Sequence, residues 1–100
     1  MVALRVLRQD DDIRTQNGFL IDSIAKETMA SLNLHFIRST KDRQIDRKKA
    51  VERFSKVVDL KLYAIHHCYN GYVGLVPREI HTHISHRGYF YRLKLSTCSA

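Results

Sequence analysis

The sequence predicts an α+β fold, a small single domain in which two N-terminal helices pack on a C-terminal hairpin-plus-helix motif. Three observations predict it. Apolar residues recur at helical spacing through the first half of the chain. LKLYAIHH then alternates as a strand does, and Asn70-Gly71 and Pro77 punctuate the second half as a turn and a helix start. One hundred residues suffice for one domain with a modest core, and no repeat, low-complexity segment or linker divides 1–100.

Residues 1–16 are polar, carry the acidic run Asp10-Asp11-Asp12, and read as an irregular lead-in closed by the turn signal Asn17-Gly18. Beyond it Ile21, Ile24, Ala25, Thr28, Met29 and Leu32 predict an amphipathic helix over about 20–33. Ser39-Thr40 offers N-caps for a second helix over about 41–58, with Asp42 suited to the positive end of its dipole. Ile45, Val51, Phe54 and Val58 form its apolar stripe, and Arg43, Arg47, Lys48, Lys49, Arg53 and Lys56 lie on the other face. LKLYAIHH comes next as a strand, Asn70-Gly71 as a two-residue hairpin turn, and Tyr72 to Val76 as the return strand. Pro77 suits the first turn of a helix, where its missing N–H costs nothing, so PREIHTHISH predicts a short helix stopping near Gly88. YFYRLKL reads as a closing strand with Phe90 and Leu93 or Leu95 inward.

Composition excludes several classes. No apolar run approaches the roughly 20 residues that span a bilayer, and Arg5 and Arg8 interrupt the start before a signal-peptide core can form. The expected setting is therefore the cytoplasm, of a target cell if the chain is delivered, with no membrane partner. Cys68 and Cys98 make no disulfide framework and are expected as free or buried thiols. The charge of +7 lies wholly beyond residue 40, where twelve basic residues face five acidic ones. That excess favours a polyanionic partner, nucleic acid first.

Five of the six histidines fall between Ile65 and His86. Neutral imidazole is a common metal ligand and titrates nearest neutral pH. Neighbours on a strand point to opposite faces, so His66 and His67 invite a division of labour, one ring for a metal and the other for a proton. On the helix His81 and His86 stand about 140° apart unless the chain is leaving the helix at His86, whereas His83 and His86 share a face more easily. Spacing alone leaves that choice open. His35 reads as an ordinary surface or half-buried residue.

The run HHCYNGYVGLVPREIHTHISHRGY resembles the core of the HNH nucleases, the ββα-metal or His-Me finger fold. It is most similar to the WHH/LHH-type branch found in bacterial toxins. His66-His67, Asn70-Gly71, Leu75-Val76-Pro77, His81, His86 and Gly88 follow the family's order over about 61–91. Two departures stand beside the match: Ile65 precedes the histidine pair, and Arg87-Gly88-Tyr89 comes after the last histidine where the branch has Thr-Gly-Gly. The resemblance implies that His66, His81 and His86 hold one divalent cation (Mg, Mn, Zn or Ni), that His67 is the general base, and that His83 has no part. It implies an endonuclease acting on DNA, and with no separate recognition module in the sequence little sequence preference is expected. An RNA-directed toxin nuclease is the variant of that expectation. An acidic immunity or inhibitor protein is a further expected partner.

Arg78 and Arg87, flanking the helix histidines, are candidates to grip phosphate oxygens, with Lys48, Lys49 and Arg53 on the second helix. A His66–Cys68 zinc pair, a functional Asn70, and tyrosines 69, 72, 89 and 91 stacking on bases are further readings, set against a small hairpin residue, a turn residue and core aromatics. Two other functions compete: a zinc-stabilised nucleic-acid-binding module without activity, and a basic protein-interaction module with incidental histidines.

Overall fold

A computed structural model describes residues 2–86, 88–90 and 93, and the side chains among them from residue 13 onward. It has a helix α1 (Val2–Ser31), a short strand β1 (Ile37–Arg38), a helix α2 (Arg43–Phe54), a hairpin β2 (Tyr63–His67) and β3 (Tyr72–Pro77), and a helix α3 (Arg78–His83). The fold is α+β; among the described residues these three helices lie around a three-stranded antiparallel sheet of order β1-β3-β2. None of the described helices is long and apolar enough to cross a membrane.

α1 corrects the expected lead-in: residues 2–16 are helical and Asn17-Gly18 lies inside the helix, not at a turn. Two tertiary features outweigh the local turn signal there. Gly18 is buried, and the Asn17 side-chain amide donates to the Ser85 carbonyl at 3.0 Å. The helix buries Ile21, Ala25 and Met29, as its periodicity predicts. It ends where Asn33 turns left-handed (φ 56). The Leu34 N–H then bonds the Met29 carbonyl and the Asn33 N–H the Ala30 carbonyl, satisfying carbonyls that a helix end leaves open.

α2 is shorter than expected, and its buried stripe is Asp46, Ala50 and Phe54. Ile45 and Val51, expected inward, are exposed. The rotation follows from Asp46, whose carboxylate is tied to Ser39 and Thr40 and so pulls its own face inward. Those two residues are therefore not the caps. Asp42 caps the helix, accepting from the Gln44 and Ile45 N–H groups.

β2 and β3 pair from Tyr63↔Pro77 to His67↔Val73, and β1 adds Ile37↔Val73 on the other side of β3. The hairpin loop has three residues where the sequence predicts two. The Gly71 N–H bonds the Cys68 carbonyl, Cys68 pairs with Tyr72, and only Gly71 takes a positive φ (+89). The glycine does the turning and Asn70 does not.

Central β3 buries Val73, Gly74, Leu75 and Val76 because both faces of the sheet are covered. On one face Ile21 and Ala25 of α1 meet Cys68 and Val76, and on the other Ala50 and Phe54 of α2 meet Val73 and Leu75. Among the described residues β2 stays at the free edge. Beyond α3, Tyr89, Phe90 and Leu93 have helical backbone, which corrects the expected closing strand at those positions. The rest of that stretch and Cys98 lie outside the described residues. Tyr89 is buried with its ring against Gly71, while Phe90 packs edge-on to His67.

Candidate active site

The pleat of β2 sends His66 toward α1 and α3 and His67 toward α2. Because β2 is an edge strand, both rings border one open pocket of about 490 Å³. Arg43, Arg47, His81, His86 and Phe90 also line it.

On the first face His66 is almost fully buried, and its Nε2 lies 2.7 Å from Asp22 of α1. A carboxylate only accepts, so Nε2–H is the donor and Nδ1 is the nitrogen left for another partner. The second Asp22 oxygen accepts the Tyr69 N–H at 2.9 Å, which locks the carboxylate to the hairpin turn. His81, from α3, and His86, just past its end, complete a triangle. Ring centroids are 5.4 Å apart for His66–His81, 5.3 Å for His66–His86 and 4.8 Å for His81–His86. One nitrogen from each lies within 4.8 Å of the others.

The helix stops at His83, and Ile84 is extended, which lets His86 swing back beside His81 despite their awkward helical angle. Its Nδ1–H donates to the Ile84 carbonyl at 2.8 Å, so Nε2 is the nitrogen left for another partner. Burial, then the neighbouring His86, His66 and Arg78, push the His81 pKa down to about 4, so the ring is neutral at pH 7. Three converging imidazoles, one braced by a carboxylate behind it, form a donor set that could hold a divalent cation.

His83 stands apart. It is exposed, and its Nδ1–H donates to the Glu79 carbonyl at 2.6 Å. A second group, Asp22, His66 and Cys68, also comes together. Burial, the Asp22 charge and a hydrogen bond to Asp22 push the Cys68 thiol up to about 12, so it is a protonated donor and a poor metal ligand. Asn70 is likewise structural, accepting the Tyr72 N–H at 3.3 Å in the turn. His35 is exposed, as expected.

On the opposite face His67 Nε2 lies 3.1 Å from Asp46, whose side chain is wholly buried. Burial opposes the Asp46 charge, but hydrogen bonds from Ser39 and Thr40, with His67 added, outweigh it and hold the carboxyl below its ordinary range. An ionised Asp46 fixes the proton of His67 on Nε2 and leaves Nδ1 as the basic atom. Burial lowers the His67 pKa; Asp46 opposes that, and Arg43 and His66 reinforce it, so the ring is neutral near pH 7. Phe90 packs edge-on at 4.8 Å from His67, and Arg43 stacks 4.6 Å above the Phe90 ring.

The expected phosphate-gripping residues do not gather here. The Arg78 guanidinium bonds the carbonyls of Leu60, Lys61 and Tyr63, tying the loop before β2 to the start of α3. Lys49 and Arg53 line a separate groove with Ile37, and Lys48 is exposed without lining the histidine pocket. Arg87 lies outside the described residues. Among the expected tyrosines, Tyr89 lines the pocket, Tyr69 packs on Phe19, and Tyr72 sits on the face of α1.

Sequence reasoning misses Asp22, Asp46 and Phe90 as parts of the site. Asp22 and Asp46 sit 44 and 21 positions from the histidines they hold, and no local pattern marks them. Compared with protein-family models, curated proteins and solved structures, the chain matches none.

Proposed function

We propose that the chain is a metal-dependent endonuclease that hydrolyses phosphodiester bonds in nucleic acid, DNA before RNA, with little sequence preference. One observation carries the reading. Three imidazoles converge on one face of β2 while His67, oriented by a buried carboxylate, reaches the same pocket from the other. In this reading His66, His81 and His86 hold the cation, with Asp22 bracing His66. A divalent cation there would supply a Lewis acid that stabilises charge on the scissile phosphate and the departing 3′ oxygen.

His67 Nδ1 accepts a proton from water as the water oxygen bonds to phosphorus. The bond from phosphorus to the 3′ oxygen breaks in the same displacement. Asp46 keeps the imidazolium oriented and stabilised, a division of roles that a carboxylate behind a catalytic histidine performs elsewhere. The +7 charge suits the substrate and equally an acidic inhibitor protein, which we include as the expected partner.

Supercoiled plasmid incubated with Mg²⁺, Mn²⁺, Ni²⁺ or Zn²⁺, and with EDTA, tests the proposal. Nicking with at least one metal and none in EDTA supports it. Plasmid bound but intact under every metal, with an RNA substrate also intact, would leave a metal-held binding module as the better reading.

A further inference from the structure

The basic residues that line the histidine pocket come from an unexpected part of α2. Arg43 and Arg47 are one helical turn apart and share a face. The buried stripe Asp46, Ala50 and Phe54 sets the rotation of α2, and with that rotation both arginines border the pocket formed by His66, His67, His81 and His86. Arg43 is held in place by stacking on Phe90, itself against His67. Among the described residues neither guanidinium has a carboxylate or carbonyl partner. Asp46, the acid between them in sequence, is turned inward and saturated by Ser39, Thr40 and His67. Arg78 makes the contrast, since its fork is occupied by backbone carbonyls.

We propose that Arg43 and Arg47 form a phosphate clamp that holds a nucleic-acid backbone against His67 and the three-histidine cluster. A planar guanidinium presents paired N–H donors that match two phosphate oxygens, and an unpaired one beside a pocket is ready to use them. The ligand class is a phosphodiester strand, gripped without regard to sequence. The assignment rests on the nuclease reading for what happens after binding, but the clamp itself concerns binding alone.

The test uses the His67→Ala background, with labelled DNA duplex and an RNA of the same sequence read by fluorescence anisotropy over a salt series. In that background Arg43→Ala/Arg47→Ala should weaken binding about tenfold or more near 0.1 M salt. It should also lower the slope of log affinity against log salt by about 2, one phosphate contact per arginine. Arg43→Lys/Arg47→Lys should restore the slope but not the full affinity, and Lys49→Ala/Arg53→Ala should change both less than the arginine pair. Both arginines are exposed, and circular dichroism checks that each variant keeps its fold.

Equal losses from the two alanine pairs, or no nucleic-acid binding at all, would overturn the clamp. Hydrolysis of bis(4-nitrophenyl) phosphate by the otherwise unaltered protein with metal separates the two ideas, because so small a diester needs no clamp. Diester hydrolysis with arginine-independent binding sinks the clamp and leaves the nuclease. Arginine-dependent binding with plasmid, RNA and diester all left uncut keeps the clamp and sinks the nuclease.

Discussion

Asp46 decides what His67 can do. A buried carboxylate that accepts from two hydroxyls, a backbone N–H and an imidazole is difficult to replace even by its amide. Asp46→Asn swaps one acceptor for a donor facing the His67 ring, favouring the wrong tautomer and leaving a hydroxyl without its charged partner. We expect a loss of about 1–3 kcal/mol of stability at neutral pH, read by urea unfolding, and a fall in cleavage rate with metal content unchanged. The folded Asp46 carboxyl lies below its ordinary value, so its contribution is present above the ordinary carboxylate range and lost as pH falls through the folded value. The stability gap between the unaltered protein and the Asp46→Asn variant should therefore narrow on acidification, and a gap that widens would contradict the assignment. At this scale the histidines are legible in the sequence and their supports are not. Adjacent histidines ending an alternating run announce two faces, but a carboxylate on a distant helix carries no local signature.

At the scale of elements, the hairpin is the most legible part, since alternation fixes which residues of β2 and β3 share a face. Its turn reads one residue short because Asn-Gly suggests a two-residue loop, whereas the chain uses Tyr69 and Asn70 before Gly71. The helices are legible in existence and less so in extent or facing. The start of α1 is hidden by a turn dipeptide that tertiary contacts override, and the inner face of α2 is disguised because a charged residue occupies it. β1 is only two residues long and exists by pairing with β3, which no periodicity reveals. The close packing of Phe36 and of Met29 from α1 over β3 makes its own prediction. A Cβ at Gly74 would meet the Phe36 Cε1 atom at 2.5 Å and the Met29 Cγ atom at 3.2 Å. Gly74 pairs with His66, so Gly74→Ala should cost about 1–3 kcal/mol by overpacking and disturb the metal site with it. Chemical denaturation and metal titration of the variant check both effects, and an unchanged midpoint would show that Phe36 moves aside freely.

For the whole molecule, the cluster draws on α1 through Asp22, on β2 through His66 and on α3 and its exit through His81 and His86. A cation that binds only this assembled arrangement stabilises the fold by mass action, by about 2.7 kcal/mol at a free concentration a hundred times its Kd. In a domain of this size that is a rise in Tm of roughly 10–20 °C. Differential scanning fluorimetry should show the rise with a binding metal, its loss with EDTA, and its absence in His81→Ala. A rise that survives His81→Ala would place the cation elsewhere. The central claim joins metal and base in one pocket, and single-turnover plasmid cleavage by the unaltered protein and His67→Ala at equal metal occupancy tests it most directly. We predict that His67→Ala keeps its metal and its DNA binding and cuts about 10²–10⁴-fold more slowly. Cleavage at the same rate in both proteins would contradict the account.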